Sequence, residues 1–378
     1  MNFEPTQEQI LIRDMARDLA RREILPAAAS TDREGRFPAG IVRQLAGLGL
    51  MGVNVSEEYG GARAGPVAYV LALLEVASAC ASTSVVMAVT NMVAEIVQEF
   101  GTQEQKRRHV PRITSGEYSA AAFALSEPGA GSDAGSMKTT ARRAGDGWVL
   151  NGEKAWITSG SEAGVIVVWA RTGGEGASGI SAFLVEPGTP GFSVGRHEDK
   201  LGLRGSSTVT LHFEDCAVPA SALLGQENRG FRIAMTALDG GRLGIAAQSL
   251  GISRSAIEEA TAYAGERKQF GRPIAEFQAI RFMLADCATE WDAAYMLLLR
   301  AAWMKERGMP FSREASMAKV FASEHANAIC SRCFQIHGGY GYVREFAIER
   351  HLRDVRVATI YEGTSEIQRI VISRSLLG

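Results

Sequence analysis

Through roughly the first 117 residues hydrophobic side chains recur every three to four positions, a period that predicts helices. Ile10, Leu11, Met15 and Leu19 fall on one face of a segment that Thr6 can cap, with arginines on the other face. Pro26 ends or kinks that segment. A second helix is predicted over Ile41 to Leu48, stopped by glycines ahead of a Tyr59-Gly60-Gly61 turn. Between Glu75 and Glu95 there is no charged side chain. Ser78, Ser82, Thr83, Ser84, Thr90 and Asn91 interrupt the run, so it reads as helices buried in a large protein rather than as a membrane span.

Around Ser119 the pattern shortens to alternation. Asp146-Gly147 and Asn151-Gly152 flank Trp148-Val149-Leu150, and both pairs are hairpin signals. Further strands are expected over Val165 to Ala170, Ile180 to Val185 and Thr208 to Phe213. Together they predict a compact antiparallel barrel or sandwich of roughly 115 residues. From about Phe231 the helical period returns, over Ile233 to Gly265, Phe277 to Arg307 and Ser312 to Ile336, enough for an up-and-down bundle. The expected class is therefore α+β multidomain: a helical domain over 1–117, a middle β-barrel domain over 118–231 and a helical bundle domain over 232–378.

Forty basic residues against forty-two acidic ones give a net charge of −2, which leaves no field to gather nucleic acid or an anionic membrane. On that balance the Lys106-Arg107-Arg108-His109 run reads as a solvated helix end. Five cysteines are too few for a disulfide framework, and Cys330 with Cys333 read as small core residues, so no metal is expected. The first residues carry neither a basic nor an apolar signal region. The expected location is the bacterial cytoplasm, or a mitochondrial matrix for a processed eukaryotic form.

Several short motifs carry candidate chemistry. Ser126 to Asp133 contains G-x-G-x-x-A, but a β-like segment follows where a dinucleotide fingerprint needs a helix, so a Rossmann reading is rejected. The loop is then either a tight turn or a cradle of backbone N–H groups for an anionic or heteroaromatic ligand. Trp156-Ile157-Thr158 places an indole beside a hydroxyl; a strand tryptophan is usually core, and the alternative is a wall for a planar cofactor. Gln335-Ile336-His337-Gly338-Gly339 ends a long helix. Asp239-Gly240-Gly241-Arg242 is read at the start of a bundle helix, and Arg267-Lys268-Gln269-Phe270-Gly271 follows that helix. In Tyr361-Glu362-Gly363-Thr364-Ser365, Ser365 with Gln368 suggests a capping box for the last helix, which puts Glu362 at a junction. A glutamate there is ordinarily a solvated charge; pressed against apolar neighbours it becomes a candidate general base.

This set of motifs, in this order, resembles the acyl-CoA dehydrogenase family over essentially the whole chain. The resemblance implies a helical domain, a β-barrel domain and a C-terminal four-helix bundle. It implies an FAD flavoenzyme that converts an acyl-CoA thioester to the trans-2-enoyl-CoA, with Glu362 taking the α-proton and the flavin accepting the β-hydride. By similarity Phe123, Leu125, Ser126, Gly131, Ser132, Trp156, Ile157 and Thr158 border the flavin ring. Arg267, Phe270, Gln278, Gln335, Ile336, Gly338 and Gly339 hold its pyrophosphate and adenine, partly from a neighbouring subunit, and Thr364, Ser365 and Glu366 complete the site. Ser132, Asp239, Arg242 and Gly363 meet the CoA thioester. Some relatives carry the base on the helix of Asp239 to Arg242, where this chain has Gly241. The implied partners are an electron-transfer flavoprotein and further copies in a homotetramer. Short to medium or branched acyl chains are all open, with Gln248 a candidate for the floor of the acyl cavity and Ala358 for its depth. The alternatives are an acyl-CoA oxidase using O2 on the same scaffold, against which the length of the chain argues, and a non-catalytic acyl-CoA or FAD binder.

Overall fold

The computed structural model describes residues 4–378. Helices α1 (Gln7–Leu19), α2 (Leu25–Glu34), α3 (Ala39–Gly47), α4 (Gly65–Ala79), α5 (Ala81–Phe100) and α6 (Gln103–Thr114) come first. Thr6 caps α1 in a capping box with Gln9. A π-helical turn over Ala20–Ile24 joins α1 to α2, so Pro26 sits in the first turn of a new helix, where its missing N–H costs little. α4 and α5 bury nearly every side chain, as a charge-free run requires. The Lys106 to His109 run is corrected by the structure. His109 shares the inward face of α6 with Gln105 while Arg107 and Arg108 point to water, and its burial lowers the imidazole pKa to about 4.

Strands β1 (Ala120–Ala124), β2 (Thr140–Ala144), β3 (Gly147–Thr158), β4 (Ala163–Arg171), β5 (Ile180–Val185), β6 (Phe192–His197), β7 (Thr208–Pro219) and β8 (Leu223–Leu224) form one sheet. Its order is β6-β7-β3-β2-β4-β5-β8, with β1 lying parallel on β4. Among the described residues no ladder joins β6 to β8, so the sheet is open where closure into a barrel was expected. β2 meets β4 at a single pair, Thr140 with Arg171, and helices instead of further strands cover the sheet. Gly145 and Asp146 make the β2–β3 hairpin turn, but Asn151-Gly152 does not turn. Gly152 lies inside β3 at a break in register with β7, at φ +145°, and a Cβ there would press on Thr139 at 2.6 Å.

The remainder is helical: α7 (Gly230–Glu266), a small hairpin of β9 (Lys268–Gln269) and β10 (Arg272–Pro273), α8 (Gln278–Glu306), α9 (Ser312–His337), α10 (Ile348–Val355) and α11 (Ser365–Leu377). α7 is the spine, packed on α4 and α5 on one side and on α8 and α9 on the other. Its start is tied to the sheet by Trp169, whose indole donates to the Gly230 carbonyl at 2.7 Å. From the other end of the bundle Asp354 accepts the Leu203 N–H at 2.7 Å, and Arg353 reaches Asp32 at 2.6 Å. Between these ties the sheet and the bundle face each other across a cleft.

Candidate active site

Past a 3-10 turn after α10, the chain adopts two successive left-handed residues, Glu362 at φ +51° and Gly363 at φ +91°. Thr364 then caps α11, its hydroxyl accepting the Ile367 N–H at 3.3 Å. The expected box between Ser365 and Gln368 is therefore not formed. The left-handed pair turns its carbonyls under α11, where Gln368 reaches both: its amide donates to the carbonyls of Glu362 at 3.2 Å and Gly363 at 2.9 Å. Lys319, from α9, donates to the Gly363 carbonyl at 2.7 Å.

The Glu362 carboxyl is held in a setting poor in donors. Its Oε2 is buried with no hydrogen-bond partner, and that burial pushes the pKa up to about 7 against the pull of Lys319 and Arg242. Arg242 is buried on α7 and pairs with Asp239 one turn back, which also accepts the Ser312 hydroxyl at 2.8 Å. Gly241 makes room for the acid: a Cβ there would overlap Glu362 Oε2 and lie 3.0 Å from Met92 Sδ. Lys319 was not singled out from the sequence, and Gln368 was expected only as a capping-box partner of Ser365, not as a donor to these carbonyls. Lys319 had a signal, since it falls among the small buried residues Ala315, Ala318 and Ala322 of α9, where a cation is out of place.

Glu362 opens on the cleft, which holds about 1640 Å³. A single small-molecule site takes roughly 300–1,000 Å³, so two ligands can lie in it together. Twelve of the expected residues line it: Phe123, Leu125, Ser126, Gly131, Ser132, Trp156, Ile157 and Thr158 from the sheet side, and Arg242, Glu362, Gly363 and Thr364 from the bundle side. Trp156, left-handed at φ +62° and 64% exposed, turns its indole out of the strand while Ile157 takes the core position. The glycine-rich loop is pinned from below by Lys154. Its ammonium, wholly buried, donates to Glu127 at 2.8 Å and to the Leu125 carbonyl at 3.1 Å, and Glu127 accepts the N–H groups of Lys138 and Thr139 at 2.6 and 2.9 Å.

The other expected residues lie elsewhere. Asp239, well inside α7 and not at its start, faces a separate pocket of about 320 Å³. Ser365 is buried and Glu366 points to solvent. Arg267, Phe270, Gln278, Gln335, Ile336, Gly338 and Gly339 gather at the far end of the bundle, away from the cleft, where Arg267 stacks over Tyr340 at 5.1 Å and Phe270 is 93% exposed.

The cleft has a buried carboxyl on one wall and an out-turned indole on the other, and the chain that forms it has relatives of known family. The N-terminal, middle and C-terminal domains of acyl-CoA dehydrogenase match residues 6–117, 122–216 and 228–377. The chain belongs to the acyl-CoA dehydrogenase family. It is 50% identical to the human mitochondrial short-chain specific acyl-CoA dehydrogenase over 375 residues, 99% of this chain and 90% of that protein. It superposes on butyryl-CoA dehydrogenase from Megasphaera elsdenii with TM-score 0.98 and 39% identity, over 100% of both chains. A chain in the solved structure of the electron transferring flavoprotein of Acidaminococcus fermentans, a study of flavin-based electron bifurcation, matches with TM-score 0.98 and 43% identity, again over 100% of both. As an acyl-CoA dehydrogenase the protein is an FAD-dependent oxidoreductase acting on CH–CH bonds.

Proposed function

We propose that this acyl-CoA dehydrogenase oxidises a short-chain acyl-CoA at its α,β bond and that Glu362 is the base. The observation that carries the reading is the Glu362 carboxyl, half in the cleft, with one oxygen unpartnered and a pKa near neutrality. A thioester α-proton is weakly acidic, so its removal needs a carboxylate aimed at it and stabilisation of the developing enolate oxygen. Glu362 Oε2 is free to take the proton, and the backbone N–H of the same residue is the proposed donor to the thioester oxygen. Bound FAD supplies the acceptor for the β-hydride.

The cleft fits that cofactor: the out-turned Trp156 offers a flat wall, and the hydroxyls of Ser126 and Thr158 lie on the same side. Arg242 and Ser132 would meet the CoA portion. Arg267, Phe270, Gln278 and Gln335 to Gly339 cannot reach this cleft from their own chain, which supports their serving the site of a neighbouring copy in a homotetramer. Short chain length is supported by the human relative and by a polar stop, since Tyr361, on the cleft wall, hydrogen-bonds to buried Gln248, itself held by the Ala81 carbonyl and Ser84 hydroxyl at 2.9 Å each. The Acidaminococcus structure supports an electron-transfer flavoprotein as the acceptor.

The test is anaerobic bleaching of the flavin by a panel of acyl-CoA thioesters, with butyryl-CoA expected among the fastest. Glu362→Gln should slow the bleaching by at least about 100-fold. A normal rate in that variant removes Glu362 from the chemistry. Rapid peroxide formation without an added acceptor would mark an oxidase instead.

A further inference from the structure

The turn that carries Glu362 is fastened from a third helix by a group that the proposed chemistry does not use. Lys319 is a fully buried lysine on α9, among alanines and serines, and its ammonium donates to the carbonyl of Gly363, the residue after the base. Its charge has no carboxylate within salt-bridge distance among the described residues, in contrast to the buried Lys154, which has Glu127. A buried lysine without a carboxylate partner is costly, and a structural link to one carbonyl could be made by a neutral donor, as the Gln368 amide shows on the same Gly363 carbonyl. The charge is thus in excess of what the turn needs.

We propose that Lys319 is a positioning residue for dehydrogenation, acting through Glu362: it locks the left-handed Glu362-Gly363 turn by its carbonyl and keeps a positive charge beside the carboxyl. This inference rests on Glu362 as the base. The charged and titratable groups facing that carboxyl are Lys319 from α9, Arg242 from α7, Tyr69 from α4 and its own neighbour Tyr361. Arg242 is already engaged by Asp239, and both tyrosines are held neutral by burial, so Lys319 is the cation not neutralised by a partner. Burial brings its own pKa down to about 8, with Glu362 pulling the other way, so the two groups sense one another.

The experiment is the pH profile of single-turnover flavin reduction by butyryl-CoA in holoenzyme, for wild type, Lys319→Met, Lys319→Gln and Lys319→Arg. Removing the cation makes the glutamate harder to ionise, so the acid limb near pH 7 should move up by about one unit in the neutral variants, about tenfold slower below it. The plateau at high pH should fall less, and Lys319→Arg should restore most of the limb. The carboxyl C=O band of protonated Glu362, found by infrared difference against Glu362→Gln, should follow the same shift without turnover. Folded neutral variants with an unmoved limb and band overturn the proposal. So does the case in which both neutral variants fail to fold while Lys319→Arg folds, because the lysine is then a structural part only. A normal reduction rate in Glu362→Gln instead overturns the assignment of the base, an outcome that the lysine variants cannot produce.

Discussion

The carboxyl of Glu362, the proposed base, is deprived of donors at Oε2. Its raised pKa sets the sign of the pH response: the carboxyl takes a proton only when ionised, so flavin reduction should climb as pH rises through about 7 and be lost below it. Stopped-flow bleaching between pH 5.5 and 9 reads that limb. Gly241 gives a second residue-scale prediction. A methyl at that position meets Glu362 Oε2 with a rigid helix behind it, so the acid must swing off line. Gly241→Ala should retain FAD and a near-normal melting temperature yet reduce its flavin at least about tenfold more slowly. The place of Glu362 at a junction before the last helix was readable in the sequence. The hands that hold it were not, because Lys319 comes from α9 and Gln368 from α11, and nothing local in the chain says that Lys319 ends on the Gly363 carbonyl or Gln368 on those of Glu362 and Gly363.

At the scale of elements, the glycine-rich loop owes its shape to one buried ion pair between β3 and the loop itself. Burial alone would raise the Glu127 pKa, but Lys154 and the N–H of Lys138 more than offset it and hold the carboxyl ionised. Glu127→Gln leaves the Lys154 ammonium buried without its counter-charge, and the cost should be about 3–5 kcal/mol in urea unfolding. Replacing both by apolar residues should cost less than the single change. Burial also lowers the Lys154 pKa to about 8 from 10.5, so between those values the unfolded chain binds more protons than the folded one and stability should increase with pH across that window. The periodicities announced nearly all the helices and the main strands. They misjudged Asn151-Gly152, because a glycine required by the close approach of Thr139 carries the same letters as a hairpin turn. They left barrel and sandwich open, and the sheet proves unclosed between β6 and β8, because closure depends on which edges meet in space and not on the alternation within any strand.

At the scale of the whole molecule, the residues that should embrace the cofactor are split between a cleft and a distant bundle end. Arg267→Ala should leave the fold of each chain intact while weakening FAD retention by about tenfold or more, the worth of a lost charge-assisted contact to phosphate. Flavin absorbance after gel filtration, beside light scattering for the number of copies, measures both effects. If one copy completes the cofactor site of another, then holo-enzyme formation and self-association are a single linked equilibrium. Saturating flavin should tighten the assembly by the same factor by which assembly tightens flavin, and a dilute preparation should shed its colour as it comes apart.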